Sequence, residues 1–295
     1  MKKNVITDPV YGYLRLNPIP TEEEVNEFYA KEFYDSNASY FNNSALDVQK
    51  EQSDFFNSRW DAIYENCKHK FGGNINDKKV FDIGFGFAQT LIYLKNKNLN
   101  VSGLEPSIEG VEYARSNGLE VFHTGIENFD CVGEENFDIV LLMNVLEHLR
   151  SPAETLLNIK EKLLTKDGVL VIDVPNDFNV FQDVANKEYD LNEWWVVSPN
   201  HINYFSATTL INLLKDCGYE IYDYEASFPL DMFLLFGDQY VGNSEVGKIC
   251  HNKRVNFESL MRKHNKQKEL KDLYRSFADL NLGRTITVYA VPKNK

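Results

Sequence analysis

Across the middle of the chain, short apolar runs alternate with longer segments whose apolar positions recur at helical spacing, the pattern of a parallel sheet with helices on both faces. The spacing predicts strands over Val80–Gly84, Val101–Leu104, Val121–His123, Ile139–Met143, Val169–Asp173 and Ile221–Tyr224. A period-two run from Thr285 to Val291 predicts a last strand over Ile286–Ala290. The expected fold class is α/β, a doubly wound sheet. Ahead of it, Asn17-Pro18-Ile19-Pro20-Thr21 reads as a turn, and Thr21-Glu22-Glu23-Glu24 as a capping box that opens a short helix. A longer helix carries Phe56, Trp60, Ile63, Tyr64, Cys67 and Phe71 on one face, which is expected to pack on the sheet. Between these helices lie the aromatic residues Phe28, Tyr29, Phe33, Tyr34, Tyr40 and Phe41.

Composition narrows the class. The chain has 295 residues, 43% of them hydrophobic, enough for one large core with elaborations or for two small domains. The first residues, Met1-Lys2-Lys3-Asn4-Val5, form no apolar signal core, and no run of about 18 apolar residues occurs, so a cytoplasmic protein is expected. Cys67, Cys131, Cys217 and Cys250 stand far apart without a Cys-x-x-Cys pair, which predicts core thiols and neither a disulfide framework nor a zinc site. A net charge of −13 argues against a nucleic-acid partner. One basic stretch runs from Lys248 to Arg275, with nine Lys or Arg against three acids, a net of +6. Its apolar residues Phe257, Leu260, Met261, Leu270, Leu273, Tyr274 and Phe277 recur at helical spacing, which predicts an amphipathic helix with a solvated charged face. A sharper reading lets those cations attract a phosphorylated or nucleotide-linked substrate.

The segment Val80-Phe81-Asp82-Ile83-Gly84-Phe85-Gly86-Phe87-Ala88-Gln89-Thr90 runs from an apolar strand through a carboxylate and two spaced glycines into a helix. Gly84 and Gly86 let the backbone turn and approach a ligand closely, while the helix start offers N–H donors. Twenty-one residues after Gly84, Glu105 ends the next apolar run and is placed to accept hydrogen bonds from a ribose diol. A dinucleotide fingerprint would place a third glycine at Gln89. Asp82 also argues against a pyrophosphate, because its charge suits a ligand that carries an ammonium group and no phosphate. S-adenosylmethionine is such a ligand.

On these residues the chain resembles the class I S-adenosylmethionine-dependent methyltransferases. The likeness continues through Gly125-Ile126-Glu127 after the third strand, Phe137-Asp138-Ile139-Val140-Leu141-Leu142 with Asn144-Val145-Leu146-Glu147-His148-Leu149 at the fourth, and Lys166-Asp167-Gly168-Val169-Leu170-Val171-Ile172 at the fifth. It covers roughly residues 78 to 225 and the final strand, and departs from many relatives at Ala88, where they have glycine. The resemblance implies a Rossmann-like seven-stranded sheet, mostly parallel with an antiparallel last strand. It also implies S-adenosylmethionine as cofactor, with S-adenosylhomocysteine as product. Beside Asp82, Gly84, Gly86 and Glu105 it places Gln89, Pro106, Gly125, Ile126, Glu127, Asn144, Val145 and His148 along the cofactor, and Tyr34 and Tyr40 in a lid over it. In similar quinone-pathway O-methyltransferases a carboxylate three residues before Glu147 joins the Glu-His pair around a divalent metal. Asn144 stands there in this chain and is a poor ligand for a hard cation, so no metal is expected.

The expected domains are residues 1–78 as lid and helical segment and 79–225 with 284–292 as the cofactor-binding core. Insertions 176–206 and 228–283 form an acceptor-side cap, because they leave the carboxyl edge of the sheet. The first insertion contains Trp194-Trp195, and its run Ser198-Pro199-Asn200-His201-Ile202-Asn203-Tyr204-Phe205-Ser206, with the stretch Phe228–Asp238, Gly283-Arg284, Tyr11-Gly12-Tyr13 and Pro18–Thr21, resembles small-molecule methyltransferases of surface-polysaccharide and natural-product pathways. The expected activity is methyl transfer to a hydroxyl or amine of a small polar metabolite, such as a sugar or nucleotide sugar. His201 is the candidate general base, against the alternative of a structural histidine in a Pro-containing loop. No nucleic-acid or membrane partner is expected, and a homo-oligomer is left open. Two other classes fit less well. A catalytically silent cofactor-binding partner subunit is disfavoured by the retained loop residues, and an NAD-dependent oxidoreductase by Gln89 and Asp82.

Overall fold

The computed structural model describes residues 4–21, 23–25, 53–126 and 129–293. In chain order the elements are β1 (Val5–Thr7), β2 (Leu14–Leu16), α1 (Ser53–Lys70), β3 (Lys79–Ile83), α2 (Gln89–Asn96), β4 (Asn100–Glu105), α3 (Ile108–Ser116), β5 (Glu120–His123), β6 (Phe137–Met143) and α4 (Pro152–Asn158). They continue with β7 (Leu164–Pro175), α5 (Val180–Tyr189), β8 (Asn203–Tyr204), α6 (Ala207–Asp216), β9 (Tyr219–Ala226), the single turn α7 (Met232–Leu235), α8 (Ser244–Lys263), α9 (Gln267–Asp279) and β10 (Thr285–Pro292). The chain divides into two compact units, one of residues 59–174, 210–224 and 287–295, the other of residues 1–58, 175–209 and 225–286.

The first unit is built on the sheet, whose seven strands run in the order β5-β4-β3-β6-β7-β10-β9. It is mostly parallel, and β10 runs antiparallel between β7 and β9. Val80, Phe81, Val140, Leu141, Leu142, Leu170 and Val171 are wholly buried. Strands covered on both faces read as continuous apolar runs, and this is why they were legible in the sequence. Ile63 and Cys67 of α1 join Leu91, Leu94, Val111 and Ala114 in one core cluster, with Tyr64 and Phe71 packed against it, as the helical face predicts. The predicted strand Val169–Asp173 is longer, Leu164–Pro175. Its early part passes Gly168, whose missing Cβ would lie 3.0 Å from the Asp138 carbonyl, beside a register shift between Phe137 and Ile139.

Asp173 is fully buried near the end of β7 and accepts from Arg59 Nη2 at 2.6 Å and Thr287 Oγ1 at 2.6 Å. It thereby ties α1 and β10 to the middle of the sheet.

In the second unit, β1, β2 and β8 form a small antiparallel sheet with registers Ile6↔Arg15 and Leu14↔Tyr204. Asp8 closes its hairpin by accepting from the Val10 and Tyr11 N–H groups and from Arg15 Nη1 at 2.9 Å. This hairpin was not read from the sequence, which marked only the turn after it, Asn17–Thr21. The Thr21 capping box is present: Glu24 N–H donates to Thr21 Oγ1 at 3.1 Å, and Thr21 N–H donates to Glu24 Oε2 at 2.7 Å. The single amphipathic helix expected over Lys248–Arg275 is two helices, α8 and α9, separated at Asn265, whose φ of 57° is the left-handed conformation that Asn tolerates. Leu260 and Leu273, expected on its buried face, are exposed. Cys131, expected as a core thiol, is also exposed, in a 3₁₀ turn, whereas Cys67, Cys217 and Cys250 are buried. Tyr34, Tyr40, the other aromatic residues between 28 and 41, Glu127 and the Phe56 side chain lie outside the described residues. No helix among the described residues is long and apolar enough to cross a membrane.

Arg59→Ala removes a charged hydrogen bond from the buried Asp173 carboxylate. Because the Arg59 side chain is about half exposed, we expect a loss of about 1–2 kcal/mol in denaturant unfolding. In Asp173→Asn the same arginine truncation should cost less, a coupling that a double-mutant cycle measures.

Candidate cofactor site

The site grows from the junction of β3, β4 and the first turn of α3, all in one unit. Between β3 and α2 the chain turns through Gly84 (φ 72°), Gly86 (φ 54°) and Ala88 (φ 51°). Ala88 holds a left-handed conformation that costs an L-residue about 1 kcal/mol or more, so the departure from glycine carries strain. A Cβ on Gly84 would lie 2.8 Å from Val145 Cγ2 and 3.6 Å from Ile126 Cδ1, whereas one on Gly86 would meet nothing within 4 Å. The loop is therefore packed on one side and bare at Gly86.

Glu105, buried at the end of β4, accepts from the Gly86 N–H at 2.8 Å and the Ser107 N–H at 2.9 Å. Ser107 in turn caps α3 by accepting from the Gly110 N–H at 3.2 Å. Two glycines make this approach feasible. A Cβ on Gly110 would lie 2.5 Å from the Gly86 carbonyl oxygen, and one on Gly103 would lie 2.4 Å from the Asp82 carbonyl oxygen. Ser107, Gly103 and Gly110 were not singled out from the sequence. The available signal was a glycine inside a strand and another in a helical first turn, two positions that glycine disfavours without a packing reason.

Asp82 pairs with Gly103 on one side and Leu141 on the other, and only 2% of it is exposed. Its Oδ1 is buried without a hydrogen-bond partner among the described residues. Burial pushes its pKa well above the usual carboxylate range, and the Glu105 charge adds to that rise. Burial also raises Glu105, opposed by the N–H groups of Ser107 and Gly86 and by His123. The His123 ring lies 3.0 Å from the carbonyl of Pro106, which links Glu105 to the Ser107 cap.

Of the residues expected to hold the cofactor, Asp82, Gly84, Gly86, Glu105, Pro106, Ile126 and Val145 meet around this loop, with Gln89 opening α2 and Gly125 next to Ile126. Asn144 has φ 55° and donates its N–H to the Asp173 carbonyl at 2.7 Å. His148 Nε2 is 3.7 Å from Oε1 of the buried Glu147. His201 belongs to the other unit, where its N–H donates to the Val197 carbonyl at 2.7 Å and its carbonyl accepts from Tyr204 OH at 3.0 Å.

These residues suit a ligand with an ammonium group, because a buried carboxylate oxygen without a partner is stabilised by a cation and not by a phosphate. The sheet order is that of the Rossmann-like methyltransferase fold. A solved S-adenosylmethionine-dependent methyltransferase from Archaeoglobus fulgidus superposes with a TM-score of 0.51 at 15% identity, over 83% of this chain and 98% of that one. A family model described as a methyltransferase domain matches residues 57–224. The chain belongs to the methyltransferase-domain family. Among curated relatives, a ubiquinone biosynthesis O-methyltransferase of Actinobacillus pleuropneumoniae serotype 5b (strain L20) is 31% identical over 128 residues, 40% of this chain and 52% of that protein. One of Rickettsia bellii (strain OSU 85-389) is 23% identical over 122 residues, 40% of this chain and 50% of that one. The chain thus spans about half the length of the curated relatives it matches. S-adenosylmethionine is the cofactor of the family, and the Asp82–Glu105 loop fits it.

The raised Asp82 pKa fixes a pH sign. The folded protein without cofactor binds this proton more tightly than the unfolded chain, so the group contributes stability at low pH that is lost as pH rises through its raised folded value. Asp82→Asn should therefore melt above the parent at alkaline pH and approach it as pH falls. It should also bind S-adenosylhomocysteine at least tenfold more weakly at neutral pH, read by calorimetry. A parent that melts above the variant across the whole range would contradict the assignment.

Proposed function

We propose that the protein transfers a methyl group from S-adenosylmethionine to a hydroxyl or amine of a small polar metabolite. The observation that carries this reading is the buried Asp82 oxygen without a partner beside a glycine loop held by Glu105. When bound, the cofactor supplies a methyl on a sulfonium, an already activated leaving group, so the protein chiefly positions the reactants. Asp82 takes the ammonium, and Gly84 and Gly86 admit the methionyl portion. Glu105 accepts from the ribose diol with the lone pairs that Gly86 and Ser107 leave. Ile126 flanks the adenine and Glu127 reads its amine. Gln89, Pro106, Gly125, Asn144, Val145 and His148 line the remainder, and Tyr34 and Tyr40 close over it.

His201 receives the acceptor's proton, a role open to a neutral imidazole. Residues 176–206 and 228–283 select the acceptor, residues 1–78 provide the lid and helical segment, and 79–225 with 284–292 form the core. The relatives' printed name, O-methyltransferase, supports oxygen as the accepting atom. The Pro199-to-Phe205 run supports a sugar or nucleotide-sugar precursor as acceptor. A metal-assisted reading draws on the buried Glu147 beside His148, and Asn144 argues against it.

The direct test incubates the protein with methyl-labelled S-adenosylmethionine and a panel of nucleotide sugars, amino sugars and catechols, with label transfer followed by mass. Failure to bind S-adenosylhomocysteine would sink the reading outright. We expect turnover to survive exhaustive chelation, and a loss restored by magnesium would install the metal reading instead. His201→Asn should lower kcat by about 10²–10⁴ with cofactor affinity intact, and the parent's rate should fall at low pH as the imidazole becomes charged. An unchanged kcat at saturating acceptor would remove His201 from the chemistry.

A further inference from the structure

The unit of residues 1–58, 175–209 and 225–286 contains a polar cluster that the cofactor loop does not use. Asn176 is fully buried. Its N–H donates to the Arg284 carbonyl and its Nδ2 to the Gly283 carbonyl, both at 3.0 Å, and its own carbonyl accepts from Asn179 Nδ2 at 2.9 Å. With its backbone and amide nitrogen so fixed, Asn176 keeps Oδ1 buried and without a partner among the described residues. Next to it, Asp177 Oδ1 accepts from Gln182 Nε2 at 3.1 Å and from Arg284 Nη1 at 3.2 Å. Arg284, with 34% of its side chain exposed, is thus held to Asp177 by one corner of its guanidinium, whose donors form a rigid planar fork.

Phe178 follows with φ 60°, an uncommon conformation for an aromatic residue. It packs edge-on against Trp195 at 5.4 Å and Tyr204 at 5.5 Å. This turn sends Asp177 toward Arg284 while its neighbour joins an aromatic wall, and backbone strain of this kind persists where the surroundings or a function require it.

Charge decides what the cluster would take. Buried Asp231 accepts from Tyr240 OH at 2.5 Å and from Asn179 Nδ2 at 3.5 Å, so two buried carboxylates face one arginine. Burial raises the Asp177 pKa, opposed by Arg284 and the Gln182 hydrogen bond, and the Asp231 charge adds to the rise. A phosphate would meet that excess of negative charge. A neutral hydroxyl would not, and it both donates and accepts, which suits an acceptor such as Asn176 Oδ1 together with a donor such as Arg284. Within the basic stretch at Lys248–Arg275, Arg254 and Arg262 pair with Glu258 and Lys253 with Asp238.

We propose that Asn176, Asp177 and Arg284 form a recognition site for a neutral polyhydroxylated ring, reading a vicinal hydroxyl pair while Phe178 meets the ring's C–H face. The proposal rests on the methyl-transfer reading and narrows its acceptor to an uncharged sugar-like portion. Saturation-transfer NMR on the full chain with the methyl pyranosides of glucose, galactose, mannose and rhamnose, and with UMP and catechol, tests it. We expect at least one pyranoside to receive saturation, with a signal that falls at least fivefold in Arg284→Lys and Asp177→Asn while S-adenosylhomocysteine affinity stays within twofold. Saturation of UMP or catechol lost in the same variants, or of no pyranoside at all, would overturn the site. The parent's comparison of the three probe classes decides this even where a variant fails to fold. Calorimetry of S-adenosylhomocysteine with the parent fails independently if the methyl-transfer reading is wrong.

Discussion

A carboxylate taken out of water must be given donors, and Glu105 receives two from the backbone, the N–H groups of Gly86 and Ser107. These bonds draw the loop after β3 and the cap of α3 onto the end of β4, so one side chain sets where the cofactor loop can lie. Asp82 is the counterpart. It is as deeply buried, yet its Oδ1 has no partner among the described residues. Two neighbouring carboxylates, one satisfied and one not, leave the protein without cofactor holding an electrostatic cost that a cation removes. In the proposed reading, affinity for an ammonium group and reduced stability in its absence are one property seen from two states.

The glycines follow from the same constraint. Gly103 and Gly110 bind nothing, but each lets backbone approach where a Cβ would stand 2.4–2.5 Å from a carbonyl oxygen. Gly84 and Gly86 were legible because they sit in a loop where a ligand needs room. Gly103 and Gly110 were not, because the contact that demands glycine comes from a segment about twenty residues away, which only the folded chain brings near.

The same division between local and distant causes governs the rest of what the sequence disclosed. The central strands and the buried face of α1 were readable because burial on both faces, or on one helical stripe, writes itself into consecutive residues. The β1–β2 hairpin and its pairing with β8 were missed. Strands of three and two residues carry too little periodicity, and their stability comes from Asp8 side-chain bonds and a partner nearly two hundred residues on. The break between α8 and α9 was missed for a different reason. Asn265 interrupts an apolar repeat without disturbing it, and the repeat alone could not distinguish one helix from two.

Candidate site residues divide in the same way. Asp82, Gly84, Gly86 and Glu105 were legible because a short linear motif and a fixed spacing place them together. Asn176, Asp177 and Arg284 were not assembled from the sequence, since Arg284 enters from more than a hundred residues later. The matched family segment ends at residue 224, before Arg284 and Asp231, so the shared part of the chain holds the cofactor loop and lacks two members of the polar cluster. That distribution suits a fold on which one site is common and another is particular to each protein. A buried polar group left without its partner costs about 1–3 kcal/mol. Asn176 carries that cost at Oδ1 while its amide nitrogen satisfies the Gly283 carbonyl. In the proposed site a ligand hydroxyl supplies the donor that Oδ1 lacks.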